Sequence, residues 1–385
     1  MPLFEDTPAE RAFRLALRKF VAKEFTPYRE EWDRNRAVPR EAWLKLGKQG
    51  YLCPYLPKEY GGSGLNFRYT VIMLQELTAG DAMCIGVTNH NDNSTRYIYH
   101  HGSEELKKRL LPKCVTGETV ACFAMTEPGA GSDAAAITTK AVRQGDHYIL
   151  NGQKVFITNG MFADIMIVMC RIESPDVDPK KNYSLLCVEG ESLKHIRRHQ
   201  FEKMGRHGQD TAEIFFENCP VPVGNLLGKE GEGFKCTMQA LGRERLELCI
   251  KAQVYADECL KEALEYARVR EAFGKPIGNF EHIAFELAEM ATEVEIGRNF
   301  LHVCVEEFIR GEDITKKVSM AKAWISEMCN RVAYKAVQIF GGYGYMQEYR
   351  IARLYQDVRA TPIFGGTTEI MNLVIARQLG FKPIF

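Results

Sequence analysis

His147-Tyr148-Ile149-Leu150-Asn151-Gly152-Gln153-Lys154-Val155-Phe156-Ile157-Thr158 interrupts an otherwise helical chain. Two β-prone runs flank an Asn-Gly pair, the residues that best tolerate the positive φ angles of a type I′ turn. The stretch therefore predicts a β-hairpin. Three short runs at 165–169, 184–188 and 211–216 read as further strands, and Pro220, Pro222, Gly224, Gly228, Gly231 and Gly233 then mark a boundary. Upstream, residues 8 to about 120 read mostly as helix. Phe13, Ala16, Leu17, Phe20 and Val21 recur at helical spacing, and Pro27 stops that helix. Residues 52–57 and Glu59-Tyr60-Gly61-Gly62-Ser63-Gly64 read as irregular loop. Downstream, Ile283, Leu287, Met290 and Val294, then Val318, Ala321, Ile325, Met328 and Val332, form two apolar stripes suited to an antiparallel bundle. Helix, strand and helix blocks predict an α+β protein, not a doubly wound sheet. Its expected parts are an N-terminal helical domain at 1–120, a middle β-domain at 121–232 and a C-terminal helical bundle at 233–385.

The 385 residues are 45% apolar and 26% charged, which suits a soluble globular chain. Fifty basic and fifty acidic residues cancel, so there is no electrostatic case for nucleic acid or a membrane surface as the main partner. No apolar run approaches the roughly 20 residues of a membrane span. The twelve cysteines include no Cys-x-x-Cys pair, so no metal site is expected, and they read as buried free thiols in a reducing compartment. The acidic start, Met1-Pro2-Leu3-Phe4-Glu5-Asp6, lacks a signal-peptide core. A cytoplasmic, bacterial enzyme is the expectation, with a processed organellar form left open. The sequon Asn93-Ser94-Thr95 carries no meaning in such a setting.

Thr126-Glu127-Pro128-Gly129-Ala130-Gly131-Ser132-Asp133 is the first stretch that suggests chemistry. Gly129-x-Gly131-x-x-Ala134 fits a loose dinucleotide fingerprint. That fingerprint needs a βαβ unit, and short strands follow here, so the reading fails. Phe156-Ile157-Thr158-Asn159-Gly160 begins 24 residues after Ser132. Arg270-Glu271-Ala272-Phe273-Gly274-Lys275, Gln338-Ile339-Phe340-Gly341-Gly342-Tyr343-Gly344 and Gly366-Thr367-Thr368-Glu369-Ile370 follow in turn. In this order, over essentially the whole chain, the sequence resembles the acyl-CoA dehydrogenase family. The resemblance implies an N-terminal helical domain, a middle β-domain and a C-terminal four-helix bundle, with FAD lying between the β-domain and the bundle. Phe123, Met125, Thr126, Gly131, Ser132, Phe156 and Thr158 would line the cofactor. Thr126 and Thr158 would bond the isoalloxazine ring, and Ser132 would also meet the CoA portion of the substrate. Arg270, Phe273, Gln338, Gly341 and Gly342 would reach FAD across a subunit boundary, with Thr367 and Glu369 near the ribityl and phosphate region. Glu281 stands where relatives carry glutamine. A carboxylate near a pyrophosphate repels it, so Glu281 is left out of the set. The implied partners are an acyl-CoA substrate, an electron-transfer flavoprotein as acceptor and further copies of the chain, commonly a tetramer.

Thr361-Pro362-Ile363-Phe364-Gly365-Gly366-Thr367 resembles the family's active-site loop, with Gly365 where many members carry the catalytic glutamate. Phe364, Gly365, Gly366 and Arg245 join Ser132 in the substrate set. The glycine keeps the backbone N–H that, in the family, polarises the thioester carbonyl together with a flavin ribityl hydroxyl. A carboxylate appears instead in Gly242-Arg243-Glu244-Arg245-Leu246, 29 residues before Phe273. The long-chain and isovaleryl-type branches place their base there. By itself this charged triplet reads as solvated residues at a helix start. Removing an α-proton needs a desolvated carboxylate of raised pKa and donors aimed at the developing enolate. Glu244 is accordingly the expected base, with the β-hydride passing to flavin N5.

Thr88-Asn89-His90-Asn91-Asp92-Asn93-Ser94-Thr95-Arg96 falls where the family lines the end of its acyl cavity. Unpaired polar groups against an alkyl tail would cost about 1–3 kcal/mol each, which argues against a plain long-chain pocket. The run reads either as a surface turn or capped helix end, or as a short or polar cavity in which Asp92 is a second base. Two alternatives to ordinary α,β-desaturation follow. One is a dehydrogenase for an alicyclic acyl-CoA of the cyclohexane- or cyclohexene-carboxyl type, with Asp92 as additional or principal base. The other is a flavin-free acyl-CoA-binding protein on the same scaffold, which Gly365 motivates and Glu244 opposes.

Overall fold

The structure, a computed structural model, describes residues 2–173 and 182–383; Met1 of the acidic N-terminal stretch lies outside them. Helix α1 (Pro8–Glu24) opens on a capping box, in which the Thr7 hydroxyl accepts the Glu10 N–H and the Glu10 carboxylate accepts the Thr7 N–H. It ends just before the 3-10 turn Thr26–Tyr28, as Pro27 requires. Leu17 and Val21 are buried, Phe13 and Phe20 half-buried, and Ala16 is exposed. α2 (Arg29–Asn35), α3 (Arg40–Lys48) and α4 (Phe67–Ala79) follow, and then a π-helical segment, Asn89–Ser94, leads into α5 (Thr95–His101) and α6 (Glu104–Thr116).

The middle of the chain is one eight-stranded sheet. Its strands are β1 (Ala121–Ala124), β2 (Lys140–Gln144), β3 (His147–Thr158), β4 (Ile165–Glu173), β5 (Tyr183–Glu189), β6 (Ile196–Gln200), β7 (Thr211–Pro222) and β8 (Leu226–Leu227). Their order is β6-β7-β3-β2-β4-β5-β8, with β1 beside β4. The β1–β4 and β2–β4 pairs are parallel and the others antiparallel.

The hairpin expected at Asn151-Gly152 is absent. β3 runs through that pair as one strand, and the hairpin lies one turn earlier, where Gly145-Asp146 join Gln144 to its partner His147. Gly145 takes φ 62° there. β7 is equally long and pairs with both halves of β3, which keeps the strand extended. Asn151 and Gly152 instead lie opposite a bulge in β7, where the register steps three residues from Cys219 to Phe216 against two from Leu150 to Gly152, and Asn218 takes φ 48°. The Asn151 Oδ1 accepts the Asn218 N–H across the pair at 2.8 Å. Gly152, at φ 151°, passes so close to Thr139 that a Cβ would lie 2.4 Å from its Oγ1 and 2.7 Å from its Cα.

α7 (Gly233–Val269) starts where Gly233 presses on the Ser184 backbone, with room for no side chain. Glu244 therefore sits well inside a helix, not at its start. A short ribbon, β9 (Glu271–Ala272) with β10 (Lys275–Pro276), precedes α8 (Glu281–Ile309), α9 (Thr315–Phe340), α10 (Arg350–Val358) and α11 (Thr368–Gln378). Leu287, Met290 and Val294 of α8 are buried, as are Val318, Ala321, Ile325, Met328 and Val332 of α9, against α7. The twelve cysteines are all free and buried. No described helix is long and apolar enough to cross a membrane.

The glycine-rich loop after β1 is tied to β3 by a buried ion pair. Lys154 Nζ donates to the Met125 carbonyl and to Glu127 Oε1, both at 2.8 Å. Glu127 also accepts from the Thr138 N–H and hydroxyl, each at 2.7 Å, and from the Thr139 N–H at 3.0 Å. Burial alone would raise the Glu127 pKa; Lys154 and these donors outweigh it and hold the group at about 2.

Two tests follow from this packing. Gly152→Ala should destabilise the protein by about 1–3 kcal/mol in urea titration, because the methyl has no space at Thr139. Glu127 has a folded pKa below its unfolded 4.5. Its contribution is present above that value and lost as pH falls toward about 2. Lys154→Met should cost about 3–5 kcal/mol at neutral pH by leaving a buried carboxylate alone, and should flatten that acid limb of the stability profile.

Candidate active site

The 3.6-residue period of α7 sets Glu244, Leu248, Lys251 and Tyr255 along one face. Loop 361–367 lies against that face. Lys322 Nζ donates to the Gly366 carbonyl at 2.5 Å, and Asn330 Nδ2 donates to Thr361 Oγ1 at 3.1 Å. Gly365 and Gly366 take φ 65° and 96°. A Cβ at Gly365 would fall 2.1 Å from Leu248 Cδ1, and one at Gly366 would fall 2.6 Å from Met371 Cε and 3.8 Å from Arg245 Nη2. The loop backbone thus rests on the helix one turn from Glu244. Burial pushes the Glu244 pKa up, against the pull of Lys251 and Arg245. Tyr97, stacked on Phe123 at 4.8 Å, is close enough that Glu244 adds to the upward push that burial gives its phenol. Lys251 Nζ donates to Thr88 Oγ1 at 3.2 Å, and burial followed by Arg206 pulls its pKa down.

Asp92 faces a different side of α7. Arg243, roughly 100° round the helix from Glu244, donates to Asp92 Oδ1 at 2.8 Å and to Thr70 Oγ1 at 3.2 Å. Thr70 itself donates to Asp92 at 3.4 Å, and Arg96 Nε lies 4.0 Å away. Glu247 completes the cluster, its Oε1 2.8 Å from Arg243 Nε but off the hydrogen-bonding line. Burial, then Asp92, pushes the Glu247 pKa up. The Arg96 guanidinium lies 3.9 Å from the centre of the Tyr55 ring.

The polar run around Asp92 is no surface turn. His90, Asn91, Ser94 and Thr95 are fully buried, and the protein meets their polar groups. Asn91 donates to the Tyr51 carbonyl at 2.9 Å and accepts the Cys53 N–H at 2.8 Å. His90 Nδ1 accepts the Ala121 N–H at 2.9 Å, in keeping with a ring whose pKa burial lowers to about 4.

The expected cofactor residues fall into two groups. Phe123, Met125, Thr126, Phe156 and Thr158 are at the end of β1 and on β3, joined to the Glu244 region through the Phe123–Tyr97 stack. Phe156 takes φ 60° at a bulge of β3 and is 66% exposed, its ring 5.4 Å from that of Phe201. Gly131 and Ser132, in the loop after β1, are exposed. Thr367 caps α11 by accepting the Ile370 N–H, and Glu369 is exposed in its first turn. Arg270, Phe273, Gln338, Gly341 and Gly342 form the second group, all exposed. Arg270 lies 5.8 Å over the Tyr343 ring, and Phe273 is 96% exposed at φ 50°. Arg270 lies beyond the far end of α7, about 39 Å along the helix rise from Glu244. Within one chain the Arg270 group is therefore far from Glu244. Each group still suits an extended flavin nucleotide: flat rings and hydroxyls in the first, an open cation and bare glycine backbone in the second.

A separate cavity of about 420 Å³ between α1, α4 and α7, lined by Arg14, Arg18, Glu76 and Glu258, holds none of these residues. Sequence reasoning missed Tyr97, Leu248, Lys251 and Lys322. The spacing of four and seven residues from Glu244 pointed to Leu248 and Lys251; Tyr97 and Lys322 arrive only through tertiary packing.

Residues 7–118 match the acyl-CoA dehydrogenase N-terminal domain, 122–219 the middle domain and 231–380 the C-terminal domain. The mitochondrial long-chain specific acyl-CoA dehydrogenase of Rattus norvegicus is 40% identical over 367 residues, 95% of this chain and 85% of that protein. An acyl-CoA dehydrogenase of Bacillus subtilis is 36% identical over 97% of this chain and 98% of its own. The crystal structure of an acyl-CoA dehydrogenase from Geobacillus kaustophilus superposes with a TM-score of 0.95 at 46% identity, covering 98% of this chain and 99% of that one. With three domains matched in order over nearly its full length, this chain belongs to the acyl-CoA dehydrogenase family of flavoprotein oxidoreductases.

Proposed function

We propose that the protein desaturates an acyl-CoA thioester between its α- and β-carbons, with Glu244 as the α-proton base. The observation that carries this is the seating of Gly365 on Leu248, one helical turn from the half-buried Glu244, whose carboxyl pKa is raised by desolvation. The Gly365 N–H donates to no other backbone group among the described residues, which leaves it for the thioester carbonyl, where enolate charge develops. Glu244 then receives the α-proton; burial supplies its basicity, partly offset by the nearby charges of Lys251 and Arg245. FAD, when bound, supplies the acceptor for the β-hydride. Phe123, Met125, Thr126, Gly131, Ser132, Phe156, Thr158, Thr367 and Glu369 would hold it in one protomer. Arg270, Phe273, Gln338, Gly341 and Gly342 would reach it from a second copy. Exposed Phe273, Phe285, Ile296 and Tyr345 support such a contact between copies. An electron-transfer flavoprotein is the acceptor in this reading. Asp92, held by Arg243 and Thr70, serves as the anchor of an ion pair and not as the base.

Glu244→Gln should slow anaerobic flavin bleaching by a straight-chain acyl-CoA about 1,000-fold or more while FAD content and thioester binding persist. Full bleaching by that variant, with loss in Asp92→Asn, would move the base to Asp92. Because Glu244 must be ionised to act and its pKa is raised, kcat/KM should fall with decreasing pH along a limb above the ordinary carboxylate range. An unshifted limb near pH 4 would exclude it.

A further inference from the structure

Arg206 is a buried cation that the reaction as described does not use. It lies in the loop joining β6 to β7, and its backbone takes φ 50°. Its N–H donates to the Asp357 carboxylate, which Arg29 also holds at 3.2 Å. Asp357 thus fixes the backbone, and its charge is answered by a different arginine. The Arg206 guanidinium lies between two rings, 5.4 Å from the centre of Tyr255 and 5.1 Å from that of Phe364. The residue is 9% exposed, and its Nε and Nη2 are buried without a hydrogen-bond partner. It forms no ion pair among the described residues. An unpaired buried charge is costly, and a strained backbone beside one points to a ligand.

Its position says which end of the ligand it meets. Phe364 immediately precedes Gly365, and Tyr255 stands on the same face of α7 as Glu244. Lys251, which Arg206 influences, is about 10 Å along the helix from Glu244, and Tyr255 about 16 Å. Accessibility falls in the same direction. Glu244, Leu248 and Phe364 are partly open, whereas Lys251, Tyr255 and Arg206 are buried. A thioester with its α-carbon at Glu244 and its tail directed inward would end at Arg206. Nε and Nη2 are the two nitrogens on one edge of the guanidinium, the pair that grips both oxygens of a carboxylate, and the flanking rings fix its plane. A methyl terminus there would leave both donors unmet, at about 1–3 kcal/mol.

We infer that Arg206, with Lys251 beside it, anchors a carboxylate at the far end of the acyl chain, so that the preferred substrates are ω-carboxyacyl-CoA thioesters. This rests on Glu244 being the base. The test uses wild-type holoenzyme and matched pairs of thioesters: glutaryl with pentanoyl, adipyl with hexanoyl, suberyl with octanoyl, sebacyl with decanoyl. Flavin bleaching gives kcat and KM, and the shift of the flavin absorption band on mixing gives binding without turnover. At one length or more the ω-carboxy member should exceed its partner about 100-fold in kcat/KM, the worth of hydrogen bonds to a charged group. Arg206→Gln should erase that ratio, mainly through KM and the binding shift, and Arg206→Lys should restore part of it. If the straight-chain member is preferred at every length, or Arg206→Gln leaves the ratio unchanged, the anchor is wrong while the Glu244 reading stands. If no thioester of the panel bleaches the flavin, the Glu244 reading falls and the anchor falls with it.

Discussion

The contact between Gly365 and Leu248 sets the terms for everything around it. At φ 65°, a backbone conformation that L side chains rarely adopt, and with Leu248 Cδ1 2.1 Å from where a Cβ would be, position 365 is suited to glycine. The loop can then come down onto α7 and present its backbone N–H, but it can contribute no carboxylate. Neighbouring contacts hold it there: Lys322 on the Gly366 carbonyl, Asn330 on Thr361, and Thr367 capping the helix that follows. On the proposed mechanism the proton-accepting side chain comes from the surface the loop covers, where Glu244 stands one turn from Leu248.

α7 keeps two sets of charges apart by its own geometry. On one side Arg243 binds Asp92 and approaches Glu247; on the other Glu244 shares its face with Leu248, Lys251 and Tyr255. The first set is a compact ion-pair network that joins α7 to α4 and to the π-helical segment before α5. Such networks add little net stability, but removing one member is expensive, so they fix relative position well. The second set is sparse by comparison. Glu244 has a folded pKa above its unfolded value, so its ionised form disfavours the folded state at pH values above that raised pKa. A carboxylate kept in that condition is poorly explained by stability and well explained by proton transfer.

Sequence patterns showed the large divisions of this chain because they rest on local rules. The apolar stripes of α8 and α9 and the strand runs of the middle domain follow from period and composition. Asn151-Gly152 misled for an equally physical reason. The pair permits a tight turn but does not compel one, and β7 is long enough to pair along both halves of β3, itself bulging opposite the pair. The polar run 88–96 leaves a surface turn or capped helix end and a polar cavity both open in sequence, because nothing local shows that Tyr51, Cys53 and Ala121 arrive to meet its hydrogen bonds. Glu244 was found through resemblance; charge pattern alone placed it at a helix end in water. Arg206 gave no signal at all, since its significance lies in what fails to approach it in three dimensions.

Length makes α7 a ruler as well as a scaffold. Its 37 residues carry the exposed group around Arg270 past its C-terminal end, about 39 Å along the helix rise from Glu244. On the reading that both groups hold FAD, each site is completed only when a second copy brings its Arg270 end to the first copy's Phe156 edge. Cofactor binding and assembly are then linked by mass action: FAD favours the associated state by its preference for the completed site, and dilution to monomers loosens FAD. The same linkage accounts for the exposure of Phe273. Its φ of 50° and nearly bare ring would be a liability on a lone protomer, and both are resolved if its packing partner belongs to another copy of the chain.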